Sequence, residues 1–194
     1  MSLRIASLGL LAALPLLASA CGDDPSPLQA ELAWRVVCGD AQGCVNGIAR
    51  TILAIDGEKD HAVACDITDT GDTYTVSMSA TKKGDAGYGL GIRNAVFPKG
   101  GGPVTNTSCA ITMTDGVNTY EGDCSGGTPS EPVPCQVTDL SVDDGDDGPE
   151  ITGTVFCEAI PLLSAPLDAN RKRNIVGPTG SGPAGVRFVN CRGL

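Results

Sequence analysis

Aromatic residues are scarce in this 194-residue sequence: one Trp, three Tyr and three Phe. With so little aromatic bulk, a core must be built from Val, Ile, Leu and Ala with covalent help. Histidine is scarcer still. The single one, His61, follows Glu58-Lys59-Asp60 in a stretch that reads as an exposed loop. There is no GxSxG elbow, no HExxH helix and no phosphate loop. The nearest glycine pattern, Gly87-Tyr88-Gly89-Leu90-Gly91, lacks the strand–turn–helix context of a nucleotide fingerprint. Nucleophilic catalysis would need a Ser–Lys or carboxylate pair, and nothing singles one out. Only glycoside hydrolysis, which asks for two acids at the right separation, stays open on composition. The expectation is a protein that is not an enzyme and needs no cofactor.

Positive charge is also short, with 13 Lys+Arg against 23 Asp+Glu and a net charge of −10. A domain of that sign repels nucleic acid and other polyanions, which leaves a protein or an envelope glycan as partner classes. The one basic cluster, Arg171-Lys172-Arg173, reads as a solvated loop in a Pro-bounded segment. Contact with anionic lipid headgroups is its sharper alternative. After Leu17 no run approaches the roughly 20 apolar residues that a membrane-spanning helix needs.

What the chain has in quantity is cysteine, glycine and proline. Of nine cysteines, eight lie beyond the leader: Cys38, Cys44, Cys65, Cys109, Cys124, Cys135, Cys157 and Cys191. No CxxC pair and no second histidine exist to complete a zinc site. An even set in an exported chain reads as four disulfides.

The leader is MSLRIASLGLLAALPLLASAC. One positive charge, Arg4, precedes an apolar run from Ile5 to Leu17; Ala18, Ser19 and Ala20 then lead to Cys21. Such a run has the length of a signal-peptide h-region. The small residues followed at once by cysteine resemble the lipobox of bacterial lipoproteins, with Ala18 where Leu is commoner. The resemblance covers these 21 residues. It implies a signal peptide over 1–20 and lipidation of Cys21, which becomes the first mature residue and binds the protein to a membrane. Residues 21–30 are then anchor and tether, and Gly22–Pro27 can extend only about 20–25 Å. In many Gram-negative bacteria Asp directly after the acylated cysteine favours inner-membrane retention. Gly22 stands there, with Asp23 next, so the outer membrane is expected.

Over 31–194, most of the chain's 26 Gly and 13 Pro punctuate short runs rich in Thr, Val and Ile. That pattern predicts a mainly β fold, a disulfide-stapled antiparallel sandwich of short strands. In Thr73–Ala80, for example, Tyr74, Val76 and Met78 alternate with Thr73, Thr75 and Ser77. Val45–Ile55 fits helical spacing as well as extended structure, and its β-branched content favours strand. Ser125–Pro134 reads as a linker. A break there would divide the chain in two, but one sandwich with a long loop is preferred because Cys191 needs an upstream partner.

Hairpin geometry pairs four of the cysteines. With Gly116-Val117 as a two-residue loop, Cys109 falls opposite Cys124, and Ile111, Met113 and Tyr120 share that face. Across the loop Asp143–Pro149, Cys135 falls opposite Cys157 and Val137 opposite Val155. Cys38–Cys44 and Cys65–Cys191 are the simplest remaining pairs.

Two segments invite functional readings. In a strand, Gly87, Gly89 and Gly91 line one face and Tyr88, Leu90 and Ile92 the other. A face without side chains admits a backbone, a sugar ring or an acyl chain, though tight packing inside the sandwich is its ordinary use. The acidic run around Asp143, Asp144, Asp146 and Asp147 offers carboxylates of the kind calcium takes. Its spacing misses the EF-hand pattern, and a solvated hairpin tip accounts for it equally well. The whole reads as a lipid-anchored envelope protein acting as a non-catalytic binding or structural module. Carriage of an apolar ligand and hydrolysis of an envelope polymer are the alternatives.

Overall fold

The structure, a computed structural model, describes residues 26–38, 46–84, 87–106, 108–124, 134–145, 148–168 and 171–194. Its strands, in chain order, are β1 (Gln29–Val37), β2 (Ala49–Ile55), β3 (His61–Asp69), β4 (Thr73–Lys82), β5 (Tyr88–Pro98) and β6 (Ala110–Thr114). They continue with β7 (Thr119–Asp123), β8 (Cys135–Gly145), β9 (Gly148–Ile160), β10 (Arg173–Val176) and β11 (Ala184–Val189). Strands β3 to β7 form a simple antiparallel meander. The second sheet runs β2, β1, then β11 and β10, then β9 and β8, and its pairings are also antiparallel.

Period-two alternation explains why these segments are strands with one wet face. In β1, Ala30, Leu32, Trp34 and Val36 are buried, whereas Glu31 and Arg35 face outward. In β4, Val76, Met78 and Ala80 point inward. One buried cluster draws on both sheets, with Trp34, Phe188, Leu32 and Ile52 from one and Phe97, Tyr120, Leu90 and Ile111 from the other.

The register of both hairpins follows the alternation. Ala110 pairs with Asp123 and Met113 with Tyr120, which sets Cys109 against Cys124; the two are bonded, as are Cys135 and Cys157. Val137 faces Val155. Cys65–Cys191 joins β3 to the residues just after β11 and so links the two sheets. Cys38 is disulfide-bonded, while Cys44 lies outside the described residues, as do Cys21 and residues 125–133.

Several expectations need correction. Packed structure begins at Leu28, which is already buried, rather than at residue 31. The basic cluster is loop only in part: Arg171 is exposed and with Lys172 precedes the strand, whereas Arg173 opens β10 and is partly buried. Strands β10 and β11 were not legible as a unit. They are one strand, interrupted by Gly177–Pro183, lying between β1 and β9: Val176 pairs with Arg35 and Gly185 with Ala33, so the chain leaves the sheet opposite Trp34 and returns at the next position. Finally, Gly89 and Gly91 do not pack inside the sandwich. Leu90 and Ile92 fill the interior, and the glycines lie on the strand's other face, where Gly91 is partly exposed and Gly89 is buried, a Cβ on it meeting the Thr81 side chain.

Candidate binding site

At the end of the sandwich where β1 finishes and β2 starts, five segments enclose a depression of about 280 Å³. It is lined by Val36, Gly47, Ile48, Arg50, Asp115, Val117, Asn118, Tyr120 and Arg173. Each arrives by a local cause. Gly47 lies against β1, its N–H donating to the Val36 carbonyl at 2.9 Å, and a Cβ there would sit 3.2 Å from that oxygen. Arg35 Nε donates to the Gly47 carbonyl and steadies the approach.

Asp115 closes the β6–β7 hairpin. Its Oδ1 accepts the N–H groups of Val117 (2.9 Å) and Asn118 (2.8 Å), and Gly116 takes the positive φ of 104° that the turn requires. The tip therefore presents Val117 to solvent, 89% exposed, beside Ile48, 65% exposed.

Two guanidinium groups give the depression its chemistry. Arg50 is the sole charged residue of β2. Its Nη2 donates to the Asp115 carbonyl at 3.2 Å, and its guanidinium lies 4.6 Å from the centre of the Tyr88 ring, a cation–π contact. Tyr88 in turn meets Trp34 edge-on at 6.0 Å. Arg173 comes from β10, its Nη1 donating to the Lys172 carbonyl. Burial pushes the Tyr120 phenol above its ordinary range, and the nearby Asp115 carboxylate, to which it is hydrogen-bonded, adds to the shift. The arrangement offers N–H and O–H donors beside apolar walls. It suits an anionic group on an apolar body.

The other marked residues fall elsewhere. Asp143 and Asp144 lie at the exposed end of the β8–β9 hairpin, and Asp146 and Asp147 lie outside the described residues. Glu150, opposite Asp143, is engaged in a bidentate pair with Arg187, at 2.6 and 2.8 Å. Gly91 lines a shallow groove of about 190 Å³ with Ala64, Ser77, Ser79 and Thr112 on the face of the meander. A third depression, about 280 Å³, lies by Leu53, Ile55, Gln29 and Val189.

Sequence reasoning singled out Arg173 and the Asp115 turn separately and missed Arg50. The available signal was that Arg50 is a lone charge within an otherwise apolar strand. Comparison with protein-family models, with curated proteins and with solved structures yields no match to this chain.

Proposed function

We propose that the chain is an exported, lipid-anchored protein of a bacterial envelope, held by Cys21 and acting as a non-catalytic surface binding module. The observation that carries the binding-module reading is the full interior. Trp34, Tyr120, Phe97, Phe188, Leu32 and Ile52 are each no more than 2% exposed between the sheets. The depressions described above lie on the outside, and their volumes of about 190–280 Å³ fall at or below the range of enclosed ligand sites. That geometry favours recognition at the surface over carriage of an apolar ligand inside. The anchor rests on the leader alone, since two or three acyl chains, at about 0.8 kcal/mol per buried methylene, hold a domain of this size without a spanning helix.

Native mass spectrometry of the detergent-extracted protein tests both parts. The expected mass is the chain from Cys21 plus acyl groups, with no retained apolar ligand. Cys21→Ala should abolish the acyl mass and palmitate labelling and release the protein from the membrane. A retained lipid would replace the surface-module reading with the carrier; membrane retention of Cys21→Ala, with no label in the parent, would remove the anchor.

A further inference from the structure

The point where the chain enters the domain and the depression where it can bind lie at opposite ends of one strand. From the tether side the chain passes through Pro27 and Leu28 into β1, which runs nine residues, about 25–30 Å. Val36, near its far end, lines the depression with Ile48 and Val117. A partner seated there and drawn away from the membrane pulls the domain along β1, while the tether pulls β1 itself the opposite way. Two bonds pin the entry: Asp56 N–H donates to the Leu28 carbonyl and Asn190 Nδ2 to the Pro27 carbonyl, each at 2.9 Å.

Strand β1 is placed to resist that pull. It is interior to its sheet, joined by seven residue pairs to β2, five to β11 and three to β10, all antiparallel. Ladder hydrogen bonds lie across the strand direction and are individually weak. Sliding β1 lengthwise must shear many of them together, whereas drawing its end sideways opens them pair by pair. The β10–β11 lane starts at the far end, where Arg173 pairs with Ile160, so tension entering there meets tension from Pro27 across one shared ladder. Packing adds to the resistance. Ala30, Leu32, Trp34 and Val36 are buried between the sheets, and in a close-packed interior they cannot slide past their neighbours without opening it.

A covalent stop stands behind the strand. Chain torn free with β1 and β2 runs on into β3 as far as Cys65, which is bonded to Cys191 across a sequence separation of 126. Tension then crosses that bond to the segment just after β11 and bypasses the chain between. The same segment clasps β3: Arg192 N–H donates to the Cys65 carbonyl at 2.9 Å, and Ile67 N–H donates to the Arg192 carbonyl at 2.8 Å. We infer that β1 is a shear lock that holds the sandwich against tension between its tether and its far end, with Cys65–Cys191 limiting the chain released when the lock fails. This gives the binding module proposed above a further task, keeping hold of a partner under tension. It rests on that reading and on the anchor for the source of the tension, but not for the lock.

The test is single-molecule pulling of the full-length oxidised Cys21→Ala protein in optical tweezers. One handle is attached at the N-terminus. The second is attached through an unnatural residue at Leu167, in the segment before β10, or at Asp144, on the β8–β9 hairpin; both positions are exposed. The hairpin lies at the tether end, where Gln29 pairs with Val189, Val189 with Glu150 and Glu150 with Asp143. Pulling on Leu167 therefore loads β1 lengthwise, and pulling on Asp144 loads it sideways. Forced unfolding reports the barrier along the direction of pull rather than the equilibrium stability, so at one loading rate the mean force should be severalfold higher through Leu167. In Cys65→Ala/Cys191→Ala the first event through Leu167 should release more chain, at about 3.3–3.6 Å per freed residue. Equal forces in the two directions, or a lower one through Leu167, would overturn the lock; an unchanged release in the double variant would overturn the stop. Membrane release of Cys21→Ala is measured in cells, so failure here leaves the anchor and the binding module standing.

Discussion

Removing the bond between the sheets should cost this protein more than removing either hairpin staple. The double variant Cys65→Ala/Cys191→Ala opens a loop with a sequence separation of 126, against 15 for Cys109–Cys124 and 22 for Cys135–Cys157. On the chain-entropy account the stabilisation grows with the logarithm of loop length. It comes to about 5 kcal/mol for the long loop and about 3 kcal/mol for each short one. The hairpin bonds, while intact, shorten the long loop and lower its figure only to about 4.5 kcal/mol. The native geometry should survive, because Arg192 still pairs with Cys65 and Ile67 through its backbone, positions that alanine occupies equally well. The loss therefore arises chiefly in the unfolded state, which expands. Guanidinium unfolding of the oxidised variants should show a lower midpoint and a larger m-value for the long-loop variant. Its Tm should fall by roughly 10–20 °C at this chain length. A Cys65→Ala/Cys191→Ala protein that loses less stability than Cys109→Ala/Cys124→Ala would refute the reasoning.

Replacing Asp143 and Asp144 with Asn should change stability by less than about 0.5 kcal/mol, as exposed substitutions usually do, and millimolar calcium should leave Tm unchanged. A calcium-induced rise of several degrees that both replacements abolish would make the tip a metal site. Tyr120 carries a pH signature. Because its folded pKa is raised, its contribution is fully present below about pH 10, the ordinary tyrosine value. It is lost as pH rises through the folded value. Phenolate absorbance should show a late-titrating component that disappears in Tyr120→Phe, and an unchanged titration in that variant would remove the assignment.

Local pattern carried most of the fold because hairpin register is local. A two-residue turn between alternating runs settles which residues face each other, and so which cysteines meet. What escaped was set by distant chain. Residues 177–183 have the proline and glycine content of a connection, and nothing nearby states that the strand resumes in the same lane beyond them. That depends on β1 and β9 holding the two halves in line. The glycine face failed for a related reason: alternation separates Gly89 and Gly91 from Leu90 and Ile92 but does not by itself state which set meets the opposite sheet. The candidate site draws on β1, the start of β2 and the segment before it, the β6–β7 turn, β7 and β10. Only sheet pairing brings Arg50 and Arg173 together across more than a hundred residues.

That same pairing orients the molecule on its proposed anchor. The tether reaches the domain at Pro27, whose carbonyl accepts Asn190 Nδ2. Nearby, Cys191 N–H donates to the Pro149 carbonyl beside the acidic hairpin end, and Gln29 pairs with Val189, itself opposite Glu150. Strand β1 then runs away from this point for nine residues, about 25–30 Å, to Val37 opposite Asn174. The acidic end is thus next to the tether, and Arg171–Arg173 and Arg50 are at the far end. A short tether holds the basic cluster away from headgroups when the sandwich stands upright, which counts against lipid contact as its role. Anionic headgroups would repel Asp143, Asp144 and their neighbours within a screening length of about 8–10 Å, well inside the tether's reach. Repulsion at the near end then turns the depression at the far end away from the membrane. It presents the depression beside Ile48 and Val117 to whatever approaches from the side away from the membrane.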